Sequence, residues 1–234
     1  MSSTPSSGAE PREGRWPPLV GELLARCHLP EAGTPVDVAV SGGPDSLALL
    51  VLAAAQGCIV TAHHVDHGLR PAAAASEASV VRSAAARFGA AFRQASVSVD
   101  PGPNLEARAR AARYAALPAG VLTGHTADDQ AETVLLNLVR GAGLDGLAGF
   151  HPQQRPLRHL RRRETRALCA ALDLSPVDDP SNLDPRHRRN RVRHDVLPLL
   201  DDVAQRDVAP VLSRQAELLR DDAALLEALA ADLD

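Results

Sequence analysis

Val36-Asp37-Val38-Ala39-Val40-Ser41-Gly42-Gly43-Pro44-Asp45-Ser46-Leu47-Ala48-Leu49-Leu50 sets the fold class. The first five residues alternate a β-branched apolar residue with a smaller or polar one, as a short strand does. Two glycines and a proline then break the strand, and the apolar stretch from Leu47 has the composition of a buried helix. Glycines let the backbone turn tightly and bring amide N–H groups up to an anion, and the helix start that follows adds the positive end of its dipole. The spacing predicts a pyrophosphate cradle. It is not a Walker A loop, since GxxxxGK[ST] and its lysine are missing.

Outward from this stretch the same alternation repeats. Strands are expected over Val36–Val40, Cys58–His63, Phe92–Val99 and Gly120–Thr123, and helices over Asp45–Gln56, Ala74–Phe88, Leu105–Leu117 and Ala127–Arg140. Strands alternating with helices imply right-handed crossovers, hence an α/β fold with a doubly wound parallel sheet. Ligands of such sheets sit beyond the carboxyl ends of the strands. Residues 1–18 have a disordered composition. A nucleotide-binding domain is expected over 19–150, an Arg-rich helical arm over 151–206, and a terminal helix or linker over 207–234.

The chain has 234 residues, 45% of them hydrophobic and 2% aromatic, so its core must be built from Ala, Val and Leu. The net charge of -4 hides an uneven distribution, because every basic residue is arginine and the last third is dense in them. Guanidinium binds phosphate bidentately, so the overall charge leaves a nucleic-acid partner open. A solvated helix face is the alternative. Cys27, Cys58 and Cys169 are scattered, with no CxxC pair, and read as reduced core thiols. The longest apolar run, Leu47–Ala55, is too short to span a bilayer, and a soluble cytoplasmic protein with no membrane partner is expected.

Ser41-Gly42-Gly43-Pro44-Asp45-Ser46 resembles the SGGxDS loop of the PP-loop ATP pyrophosphatases, whose fold is of the adenine nucleotide alpha hydrolase type. Ser41 and Ser46 can donate hydroxyls to phosphate, and Asp45 would serve Mg²⁺ bound to ATP rather than the bare triphosphate. Four further segments narrow the resemblance. They are His63 to Arg70 (HHVDHGLR), Asn104-Leu105-Glu106-Ala107-Arg108 running to Arg113-Tyr114, Thr123 to Thr133 (TGHTADDQAET) continuing to Gly149, and Asp179-Pro180-Ser181-Asn182 with Arg189-Asn190-Arg191-Val192-Arg193. Together they resemble the tRNA(Ile)-lysidine synthetase family over about Val36 to Leu200.

That resemblance implies ATP and Mg²⁺ as cofactors, and lysine and the tRNA(Ile) with a CAU anticodon as partners. The reaction it implies adenylates oxygen 2 of the wobble cytidine, which the lysine ε-amine then displaces as AMP. It assigns ATP to Ser41, Gly42, Gly43, Pro44, Asp45 and Ser46, metal to Asp45 and Asp66, and tRNA backbone to Arg189, Arg191 and Arg193. Asp129 and Glu132, one turn apart on one helix face, would grip lysine's ammonium groups. Arg113 would face the lysine carboxylate or phosphates. A capped helix start with acidic first-turn residues is the bland alternative for Asp128, Asp129 and Glu132, and a hydrogen-bonded turn carboxylate is the one for Asp66. Another PP-loop tRNA-modifying enzyme such as a thiolase, or an inactive nucleotide- or RNA-binding module, remain as other functions. The grouped cysteines of cluster-bearing thiolases are not in the sequence.

Overall fold

In the computed structural model, residues 16–66, 71–98, 102, 105–150 and 152–231 are described. Residues 1–15, His67 to Arg70 of the His-rich segment, and Asn104 lie outside the described residues. Strands β1 (Pro35–Ala39), β2 (Ile59–Asp66) and β3 (Ala91–Ser96) form a parallel sheet in that order, with Val36 opposite Val60 and Ala62 opposite Phe92. Helix α2 (Pro44–Ala55) crosses from β1 to β2, and α3 (Pro71–Phe88) from β2 to β3.

The fourth expected strand is reduced to one parallel bridge, Val38 with Leu122, on the free side of β1. Leu122 N–H donates to the Asp37 carbonyl at 2.8 Å, and Ala39 N–H to the Leu122 carbonyl at 2.9 Å. Pro118, Gly120 and Gly124 bracket this stretch and leave too few extended residues for a longer ladder. The bridge still fixes the topology. After α4 (Leu105–Ala115) the chain returns to the far side of β1, so its winding reverses there and a crevice opens between the loops after β1 and after Leu122.

Helix α2 is buried without interruption from Ser46 to Ala53, which explains why its apolar residues show no single face. It lies between the sheet and α7 (Arg162–Ala171). Leu157, Leu160, Leu168, Cys169 and Leu172 therefore share one core with Val38, Val40, Leu47 and Ala62. A smaller cluster joins α5 (Ala127–Val139) to the following helices through Ala131, Leu135, Val192, Leu197, Val208 and Ala209. In between come the short α6 (Leu144–Leu147) and α8 (Arg188–Arg191), and beyond them α9 (Leu197–Ala204) and α10 (Ala209–Ala231); α1 (Pro18–Leu24) joins the main core through Val20 and Leu23.

The three cysteines are free thiols, and burial pushes those of Cys27 and Cys169 up to about 12. No helix among the described residues is long and apolar enough to cross a membrane.

Candidate active site

The loop after β1 is tied by its own serines. Ser46 Oγ donates to the Gly43 carbonyl at 2.9 Å and accepts the Ser41 N–H at 3.2 Å, and the two hydroxyls lie 3.2 Å apart. Gly42 turns the chain at φ +91°, a conformation that favours glycine. Its carbonyl accepts the Val177 N–H at 3.0 Å, which fastens the segment before the Pro180 turn to the loop. From the other side Gly124 comes so close that a Cβ there would lie 2.6 Å from the Asp45 carbonyl oxygen. Only glycine lets the two loops touch.

Between them lies a cleft of about 670 Å³, lined by Ser41, Gly43, Pro44, Asp45 and Ser46 on one wall and by Gly124, His125, Asp128 and Asp129 on another. Arg113 also lines it, as do Arg162, Arg163, Arg166 and Arg193. The loop expected to hold ATP and the α5 start expected to hold lysine thus open onto one cavity.

Asp45 stands in the first turn of α2. It accepts a short hydrogen bond from Thr165 Oγ1 and a longer one from Arg162 Nε at 3.4 Å. Burial, and then the nearby charge of Asp129, push its carboxyl up to about 6, against the pull of Arg162 and Thr165.

Asp129 and Glu132 lie together, as their spacing predicts, but with partners of their own. Thr126 N–H and Oγ1 both donate to Asp129 Oδ2, at 2.8 and 3.0 Å, and the first of these bonds belongs to the capping box at the start of α5. Arg162 Nη2 and Arg189 Nη2 donate to its Oδ1, at 2.9 and 3.0 Å. Burial alone would raise this carboxyl, yet Arg162, Arg189, His125 and the Thr126 amide hold it well below the usual carboxylate range. Glu132 is fully buried beneath it. Its Oε1 accepts from Arg162 Nη1 at 3.1 Å and Arg193 Nε at 2.7 Å, and its Oε2 from Arg189 Nε at 2.6 Å and Arg193 Nη2 at 3.1 Å.

Asp128 has a supporting role. It accepts a bidentate pair from Arg161 at 3.0 and 2.9 Å and the Arg162 N–H at 2.7 Å, so it caps the start of α7. Burial opposes its ionisation, but these donors hold it below its ordinary value.

The arginines expected on tRNA divide. Arg189 and Arg193, with side chains 35% and 20% exposed, turn inward onto Glu132, whereas Arg191, 67% exposed, meets Asp195 at 3.5 Å. Asp66 closes β2 and is not among the residues lining the cleft, so the structure does not bring it onto the wall that carries Asp45. No group of three His, Cys, Asp or Glu that could hold a metal occurs among the described residues. One carboxylate beside a phosphate cradle still fits Mg²⁺, which takes one or two protein carboxylates together with substrate phosphates and water.

Arg162 is a site residue that the arginine run of 161–166 conceals. It joins Asp45 on the phosphate loop to Asp129 and Glu132 on α5, and these carboxylates raise its pKa although burial opposes the charge. The signal was there in the helical period. Thr165, Leu168, Cys169 and Leu172 are buried, and Arg161 and Arg162 lie one turn before Thr165 on that face.

A strand-to-helix phosphate loop at the switch point of a parallel sheet, with acidic residues facing it, defines a PP-loop nucleotide-binding domain, and residues 22–200 match the family described as a PP-loop domain. The chain is 48% identical over 218 residues to the tRNA(Ile)-lysidine synthase of Nocardia farcinica, covering 88% of this chain and 68% of that protein. It is 50% identical over 202 residues to that of Mycolicibacterium paratuberculosis (82% and 62%), and 45% over 219 residues to that of Mycobacterium tuberculosis (90% and 67%). The chain belongs to the tRNA(Ile)-lysidine synthase family of PP-loop proteins. It spans between 62 and 68% of the length of these relatives.

Proposed function

We propose that the chain ligates lysine to carbon 2 of the wobble cytidine of the CAU-anticodon tRNA(Ile), with ATP cut to AMP and pyrophosphate. The observation that carries this is the single cleft shared by the SGGPDS loop and the α5 carboxylates, in a chain 48% identical to a tRNA(Ile)-lysidine synthase. The cytosine oxygen attacks the α-phosphate and pyrophosphate leaves. The lysine ε-amine then attacks carbon 2, gives up a proton, and AMP departs.

The loop would cradle the β- and γ-phosphates with its serines and the dipole of α2. Asp45 fits Mg²⁺, which would neutralise the triphosphate and pyrophosphate charge. Asp66, one strand away, is proposed as a second contact of the nucleotide or its metal. Arg113 on the cleft wall would meet the lysine carboxylate or a phosphate. Holding the amine and the flipped base against one another supplies the orientation that makes the second step fast.

Of the two α5 carboxylates, Asp129 lines the cleft and Glu132 does not. Asp129 would then be the carboxylate that meets lysine's ammonium, while Glu132 holds the arginines around it. Asp129→Asn keeps the capping geometry and removes the charge. The lysine KM should rise about tenfold or more with ATP affinity nearly intact, since a charge-assisted bond is worth about 1.5–3 kcal/mol. An equal loss of ATP affinity points to a metal or purely structural role.

The test of the function is incubation with ATP, labelled lysine and total bacterial tRNA. Lysine-dependent AMP and pyrophosphate, with label in tRNA at a cytidine, is the expected result. Cleavage of ATP to ADP and phosphate refutes it.

A further inference from the structure

Helix α7 has two arginine faces. Arg161 and Arg162, each 15% exposed, point into the molecule, while Arg163 and Arg166, 74% and 60% exposed, point out and line the mouth of the cleft. The outward pair sits at i and i+3, one above the other on the helix surface. Their own counter-ions are weak. Arg163 Nη2 is 3.3 Å from Asp207, a carboxylate that Arg161 already engages, and Arg166 Nη2 is 3.8 Å from Asp178, itself 85% exposed. Exposed pairs of this kind contribute little and yield readily to a better anion. The backbone beneath them is rigid, because Thr165, Leu168 and Cys169 are buried against α2. Arg189 and Arg193 differ on every count, being half-buried and committed to Asp129 and Glu132.

We propose that Arg163 and Arg166 form a phosphate-binding ridge at the cleft mouth, which takes the backbone phosphates of the single-stranded RNA next to the base that enters the cleft. This rests on the proposed function. A base can reach the cleft only from an unpaired, unstacked position, so the strand on either side of it must run past the mouth. An exposed guanidinium pair on a fixed element that lines the cleft then sets the register of that strand, while the cleft reads the base.

The test compares the full chain with its Arg163→Gln/Arg166→Gln form, measuring binding of total bacterial tRNA across a salt series and ATP binding in parallel. Glutamine keeps helix propensity, and both positions are exposed, so the fold and the ATP affinity should stay as they are. The double variant should lose roughly tenfold in tRNA affinity near 0.1 M salt, and its slope of log affinity against log salt should fall by up to about two units. The tRNA KM should rise while kcat at saturating tRNA is kept. Unchanged affinity and slope in the double variant, with salt-dependent binding in the parent, overturns the ridge and leaves the function standing. An equal loss from Arg191→Gln alone overturns it too, since the strand then follows α8. A parent chain that binds no tRNA overturns both the ridge and the reading beneath it.

Discussion

Asp45→Ala should abolish lysine-dependent AMP formation, a loss of several kcal/mol in transition-state stabilisation, with the fold retained. The expectation comes from the charge balance at the start of α2. Asp45 has Thr165 and a long contact to Arg162 as donors, and burial with the neighbouring Asp129 pushes its carboxyl up to about 6. A buried carboxylate whose charged form is disfavoured in this way is one that a dication with its triphosphate would complete. Removing it takes one long contact from Arg162, which keeps Asp129 and Glu132 as counter-ions, so the cluster stays neutralised. ATP binding should weaken and pyrophosphate release should fall below detection in a coupled assay. Turnover within a fewfold of the parent would show that the metal is held elsewhere, with Asp66 the next candidate.

Glu132→Ala should have the opposite character, a stability defect first and a catalytic one second. Three guanidiniums, those of Arg162, Arg189 and Arg193, converge on one fully buried carboxylate. Removing one partner from a buried ion cluster costs about 3–5 kcal/mol, because charges stay buried without compensation. For a chain of this size that corresponds to a drop on the order of 10 °C in thermal midpoint. Glu132→Gln, which keeps the shape and one acceptor oxygen, should fall between. If Glu132→Ala melts like the parent and raises the lysine KM instead, the carboxylate serves the amine directly.

Much of this architecture was legible. The β1 strand, the loop and α2 were expected over 36–56 and occupy 35–55, because glycine and proline mark the junctions chemically. The last expected strand was less legible. Whether a three-residue extended stretch pairs along its length depends on how many residues its flanking Pro118, Gly120 and Gly124 leave free, and only one bridge results.

The site divides in the same way. Local chemistry marked the Ser41–Ser46 loop and the acidic start of α5. The identity of their partners depends on segments thirty or more residues away, so an arginine run could be read as one solvated, phosphate-seeking group when its members face in two directions. Counting helical turns back from Leu168 and Cys169 separates Arg162 from Arg163, which composition alone cannot do. The same remoteness hid the pairing of Arg189 and Arg193 with the very carboxylates expected to hold lysine.

The two fastenings of the phosphate loop, the Val177 N–H on the Gly42 carbonyl and the close seat of Gly124 on Asp45, also bear on when its disorder is removed. A loop anchored on both sides surrenders its conformational freedom while the chain folds, so a nucleotide arriving later meets a shape already set and has no ordering penalty to overcome there. Nucleotide capture should then behave as docking into a rigid mould, with a small entropic cost and little change in amide exchange along the loop.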